Sequence, residues 1–407
     1  MKTILVFVCV LITLNTSTQW VKVNNGMGNN QTVLSVVSSG NIIFAGFRTA
    51  GIYKSTESGN TWLQTFSLPD SSVYSLAVNG NNIFAGLAFT GSPHFSGSGV
   101  YRSTNSGVNW VLSGLAGKNI ISLAVYGDTV FAGTNGYNGV YRSTDNGLSW
   151  VQLSLMLINI PSLLINGNII FAATGQDHGV WKSTDNGSNW SQTSLNNKTI
   201  ISLASNGSNM FAGDFLDSGV YRSTDFGTSW QRTSFNNHRV NSIAVFGNNI
   251  FAGTLNYGIY VSNNNGDNWV QRNEGFGVNP SILSFSILNN YLFAGTQDSS
   301  VYKRSLNELI GINQISNELP QEFSLAQNYP NPFNPSTNIQ FNISNSTFTK
   351  LTIYDVTGRV ITILVNEDLK PGVYEVEWDA SNSASGIYYY KLETENFTKT
   401  KKMVLLK

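Results

Sequence analysis

Charge is scarce in this chain. Lysine and arginine number 23, aspartate and glutamate number 23, and the formal net charge over 407 residues is zero. A surface so thinly and evenly charged offers no footprint for nucleic acid or anionic membrane, and neither is expected as a partner. Cys9 is the only cysteine, so the chain builds no disulfide and no thiolate metal site. The three histidines, His94, His178 and His238, fall in separate stretches of the chain. Zinc needs its ligands within about 2.0–2.1 Å of one point, so no metal is expected, and no cofactor. Long apolar runs are missing with one exception. Ile4 to Leu14 is a run of eleven residues behind Lys2, too short to span a bilayer as a helix. It reads as an export signal over residues 1–18, cut near Thr18. Cys9 follows Val8 in mid-run, which argues against a lipid anchor. No transmembrane span is expected, and the chain is expected to be a monomer.

Glycine, with 38 residues, and aromatics, at 12%, are abundant, as in short strands joined by tight turns. The aromatics recur on a fixed spacing. Tyr53/Trp62, Tyr101/Trp110, Tyr141/Trp150, Trp181/Trp190, Tyr221/Trp230 and Tyr260/Trp269 are each nine residues apart. The segment Ile43-Phe44-Ala45-Gly46 recurs around Phe84, Phe131, Phe171, Phe211, Phe251 and Phe293, mostly forty residues apart. A further apolar strand, such as Ile121 to Val125, precedes each Phe. A period near forty with four strands per unit predicts an all-β, seven-bladed β-propeller over residues 19–304. The seventh unit stops after Tyr302 without its Trp. Trp20-Val21-Lys22 matches Trp150-Val151-Gln152, so an N-terminal strand is expected to complete the last blade and close the ring.

The turn between third and fourth strands reads Ser143-Thr144-Asp145-Asn146-Gly147-Leu148-Ser149-Trp150. Asp145 can accept N–H groups of its own turn, Gly147 can take positive φ, and Trp150 can pack over the hairpin. The same roles fall to Asp185, Gly187 and Trp190 and to Asp225, Gly227 and Trp230. This pattern resembles the Asp-box, or BNR repeat, of sialidase-like propellers, and the resemblance implies turn-capping roles for these residues. Glu57, Asn105 and Asn264 replace the acid in three units, and Glu57 is the poorer cap. The sialidase parts are missing: there is no Arg-Ile-Pro, and Arg102, Arg142 and Arg222 share one repeated strand position, which suggests a structural or surface role.

Tyr-to-Trp spacing never varies, but Phe-to-Tyr spacing runs from nine to seventeen residues, the longest being Phe84 to Tyr101. One rim is therefore uniform and the other diversified, and ligands favour variable loops on a rigid scaffold. Candidate ligand-binding residues on the diversified rim are Phe47, Arg48, Phe89, His94, Phe95, Tyr137, Asp177, His178, Phe215 and Tyr257. A glycan or protein ligand suits aromatic platforms beside carboxylates. The alternative is a glycoside hydrolase using a carboxylate pair among Asp177, Asp214, Asp217 and Asp298, about 5–5.5 Å or 6.5–9.5 Å apart.

Repeats end near Arg304. Residues 305–322 read as a linker. Pro330, Pro332 and Pro335 then lead into strand-like runs, predicting a small Ig-like β-sandwich over 323–407. The tail resembles the type A C-terminal sorting domain of the type IX secretion system. The match lies in Asn328-Tyr329-Pro330-Asn331-Pro332-Phe333-Asn334-Pro335, Ile353 to Arg359, Gly372-Val373-Tyr374, Ser385 to Tyr390 and Lys401 to Lys407. The resemblance implies that type IX secretion machinery is a partner and that the product is secreted or displayed on the outer surface. The sequence thus reads as an exported propeller cargo, with non-catalytic binding ahead of hydrolysis.

Overall fold

The computed structural model describes residues 19–28, 31–67, 71–89, 97–156, 159–216, 219–310, 312–316, 320–380 and 383–407. The export-signal expectation, and the candidates His94, Phe95 and Asp217, lie outside them. Among the described residues there are nine sheets, each of four antiparallel strands, and one five-residue helix.

Seven sheets come from residues 21–305. The first is a meander of Val33–Ser39, Ile42–Phe47, Ile52–Ser55 and Leu63–Phe66, and the next five repeat it. Both faces of a second strand are covered, so Ile-Phe-Ala-Gly forms an unbroken apolar run rather than an alternating one. Its seven Phe rings, from Phe44 to Phe293, are at most 2% exposed. The fourth strands begin one residue after the Trp and in five of the seven sheets are only two residues long.

The seventh sheet consists of Ile282–Leu288, Tyr291–Thr296, Val301–Ser305 and, from the other end of the chain, Val21–Lys22. Val21 lies opposite Lys303 and Lys22 opposite Tyr302. Trp20 anchors this strand. It is 2% exposed, its amide and indole N–H donate to the carbonyls of Glu274 and Arg272 at 2.7 Å, and it stacks on Phe276 at 5.3 Å. Along the chain, the first strand of each sheet packs on that of the next, and Val33–Ser39 packs on Ile282–Leu288.

The stretch read as a linker is structured. Helix Leu306–Ile310 buries Leu306, Leu309 and Ile310, and Ile312–Ser316 pairs with Gly372–Asp379 as an edge strand of the tail. Polar composition hid this, because three apolar residues on one helical turn suffice to dock it. The tail's two sheets order Ile312–Ser316, Gly372–Asp379, Ser336–Ile343, Ser324–Leu325 and Val360–Leu369, Thr347–Tyr354, Gly386–Glu393, Thr398–Leu405. Phe341, Ile353, Tyr390 and Leu405 are among the side chains buried between them. The Tyr390 hydroxyl donates to the carbonyl of Ala326 and accepts from the amide of Asn328, both at 2.8 Å. Burial pushes that phenol up to about 12.

Candidate functional site

Two chemically distinct rims follow from the meander. Turns joining strands one to two and three to four leave each sheet at one end. Loops joining two to three, and sheet to sheet, leave at the other.

The first rim is a repeated polar machine. In each three-to-four turn a buried serine hydroxyl, Ser143 for example, accepts the N–H of the turn glycine Gly147 at 2.7 Å. It also donates to the Asp145 carboxylate at 2.7 Å. Asp145 Oδ1 accepts the amides of Leu148 and Ser149, and Oδ2 the Ser149 hydroxyl. The Ser149 hydroxyl is the largest cause holding the Asp145 carboxyl far below the usual carboxylate range. The Ser229 hydroxyl does the same for Asp225. Asp185, held chiefly by the amide of Asn189, falls to about 2. Asn105 and Asn264 each accept one turn amide at 2.9 Å. The Glu57 carboxylate instead takes the Thr61 hydroxyl at 2.7 Å.

Gly147 has φ 82°, and a Cβ there would sit 3.1 Å from the Phe84 ring of the preceding sheet. The turn glycine is thus required twice over, by backbone and by neighbour. Cations of the third strands then reach the next sheet's turn. Arg102, Arg142 and Arg222 donate to the carbonyls of Asn146, Asn186 and Asn265. Lys303 of the last sheet donates to Ser58 O and Asn60 Oδ1 of the first, both at 2.9 Å. In the sixth sheet Val261 takes the cation's place, and the seventh sheet has no such turn to receive one.

The second rim carries the sequence-derived candidates. Phe47 does not belong to it. That side chain is 0% exposed and packs edge-on against Tyr53 at 5.0 Å, because it ends a doubly covered strand. Arg48 is exposed, and Phe89 is half-buried beside Asn119 Oδ1, which accepts its amide. Tyr137 is 69% exposed and Tyr257 49%. Tyr257 stacks on His238 at 4.1 Å. Arg239 lies 3.8 Å over the 37% exposed ring of Phe215. His178 is half-buried, and its carbonyl accepts the indole N–H of Trp181 and the amide of Gln192.

The carboxylates are engaged. Asp177, at φ 59°, accepts the Thr199 hydroxyl at 2.9 Å and donates its amide back to it at 3.1 Å. Asp298 repeats this with Thr32 at 2.6 and 3.3 Å, joining the last sheet to the first. Asn256 and Ser281 form the same clasp. Asp214 is 0% exposed and is no surface acid. It ends the second strand where Thr134, Thr174, Thr254 and Thr296 donate to a loop carbonyl. Its Oδ1 accepts the amide of Leu216 at 2.6 Å. Asp177, Asp214 and Asp298 belong to three different sheets, and Asp217 lies outside the described residues. Sequence reasoning gave Arg102, Arg142 and Arg222 a structural or surface role at their repeated position, but missed the serine and threonine partners. No group of three metal-ligating acids, histidines or cysteines occurs among the described residues.

Residues 327–406 match the family model of the secretion system C-terminal sorting domain. The chain ends in a sorting domain. The sorting domain marks the chain for export to the cell surface or secretion and for contact with secretion machinery. No helix among the described residues is long and apolar enough to cross a membrane. No curated protein matches the chain. Its fold resembles PorZ, a surface component of the type-IX secretion system of Porphyromonas gingivalis. TM-score is 0.56 at 15% identity, covering 94% of this chain and 60% of that one. It also resembles a GH74 xyloglucanase from Xanthomonas campestris, at TM-score 0.57 and 16% identity, covering 80% and 59%. YCF48 bound to a D1 peptide gives 0.54 at 12% identity, covering 70% and 96%. The chain thus spans about three-fifths of the length of PorZ and of the xyloglucanase. These likenesses establish a propeller-like fold.

Proposed function

We propose that the seven sheets form a closed seven-bladed propeller built on Asp-box turns, clasped by the Trp20 strand and ending near Ser305. The type IX machinery exports it through the sorting domain. Its diversified rim then binds a protein or glycan ligand without turning it over. The observation that carries the non-catalytic reading is the engagement of Asp177 and Asp298 in clasps between sheets and the burial of Asp214. A paired-carboxylate hydrolase needs one acid and one base facing the same bond, and Asp177 and Asp298 face hydroxyls and amides of the fold. Exposed Tyr137, Tyr257 and Phe215 supply contact area instead. The peptide on YCF48 supports a protein ligand on such a scaffold.

Likeness to GH74 enzymes keeps hydrolysis as the second reading. The purified chain, screened on peptide and glycan arrays with reducing-sugar release measured in parallel, separates the two. Retention without release, weakened by Tyr257→Ala, is the expected outcome. Sugar release abolished by Asp177→Asn would replace binding with hydrolysis.

A further inference from the structure

The two faces of the sorting domain are not equivalent in the full chain. Helix Leu306–Ile310 and Val261 share one buried cluster with the tail's own core. A cleft of about 510 Å³ lies between sixth- and seventh-sheet residues, including Arg272 and Glu274, and the tail residues Asn338, Glu375 and Glu377. Those three point outward from the sheet that contains Ser336–Ile343 and Gly372–Asp379. A second contact is made by the edge strand Val360–Leu369, where Asn248 donates to the Thr362 hydroxyl at 3.2 Å. One side of the sandwich is therefore turned toward the propeller's uniform rim.

The opposite sheet leaves a different surface open. Tyr354, Tyr389 and Lys402 lie in one row across three strands, with Ile387 and Val404 in the adjoining row. Ile387 is 41% exposed and Tyr389 37%, on strands whose alternate residues Tyr388, Tyr390 and Leu392 are buried. Lys402 is exposed beside them. Among the described residues no hydrogen bond joins this row to the propeller. An aromatic and aliphatic centre with a lysine at its margin has the make-up of a binding surface rather than of a solvated sheet face.

We infer that the secretion machinery reads the sorting domain through this outward face, centred on Ile387, Tyr389 and Lys402. Its partner surface offers an apolar patch with a carboxylate placed to meet Lys402. The propeller-side face carries Asn338, Glu375 and Glu377 around the cleft and has no such aromatic centre. The inference rests on the sorting reading, and three forms of the full-length gene separate the two. Each is expressed in a bacterium carrying the machinery, and surface and periplasmic fractions are measured. Removing residues 320–407 tests sorting itself; surface appearance of that truncation sinks the reading on which this one stands. Tyr389→Glu and, separately, Lys402→Glu test the face. Each should lower the surface fraction about tenfold or more and leave an intact, protease-resistant chain in the periplasm. Lys402 is exposed, so its substitution spares the core and remains informative if Tyr389→Glu does not fold. Glu377→Lys on the docked side should export as the parent does. Wild-type export of Lys402→Glu alongside retention of the truncation would overturn the assignment, as would loss of export confined to Glu377→Lys.

Discussion

The acids most suggestive of chemistry on paper are the ones most occupied by structure. Asp145, Asp185 and Asp225 accept hydroxyl and amide hydrogens within their own turns, and each carboxyl is held below its ordinary range. A depressed folded-state value stabilises the fold above the unfolded value near 3.9 and loses that stabilisation as pH falls through the folded value. For Asp185 that window runs from about 4 down to about 2. Replacing all three by Asn keeps an Oδ1 acceptor, as Asn105 and Asn264 already show, but removes the titration. Thermal unfolding of the parent should therefore fall more steeply between pH 5 and pH 2 than that of the triple variant. Parallel profiles would show that these turns contribute nothing to acid sensitivity. The Asp-Thr pairings are the residue-scale feature that the sequence concealed. Asp177 and Thr199 are 22 residues apart, and Asp298 and Thr32 are 266 apart. No local spacing announces the second pair.

At the scale of strands and turns, the sequence was far more legible. A forty-residue period exposes the meander, because every unit must fill the same volume between its neighbours. The absent seventh Trp pointed to Trp20, and Val21 does lie opposite Lys303. What the period could not reveal was the consequence for Val261. A third-strand cation is useful only where a following turn offers a carbonyl, and the sixth sheet has none ahead of it. Phe47 was misplaced because a strand end on a variable loop looks exposed until its other neighbour is counted. Trp20→Ala should cost about 3–5 kcal/mol in denaturant unfolding, the usual figure for deleting a buried indole. Trp190→Ala, at a half-buried site, should cost clearly less. Equal losses would mean that the N-terminal strand is no more important than any other outer strand.

Across the whole molecule, the stretch expected to separate two domains joins them instead. Arg304, only 3% exposed, donates to Glu274 at 2.6 Å and to Glu308 at 3.3 Å. Glu274 in turn accepts the Trp20 amide through its carbonyl. Leu309, 1% exposed, seals the same junction. Propeller and tail should consequently unfold in one calorimetric transition, and Leu309→Asp should split it in two by placing an unpaired charge in the contact. Two transitions in the parent would mean that the halves are only tethered.

The pairing of Val21 with Lys303 has a temporal meaning as well. A sheet that takes its outer strand from a distant part of the chain cannot be completed by any fragment lacking either segment. While the chain is still emerging from a ribosome, Val21–Lys22 has no partner strand. That sheet is complete only once residue 303 has rejoined residue 21 in the same compartment.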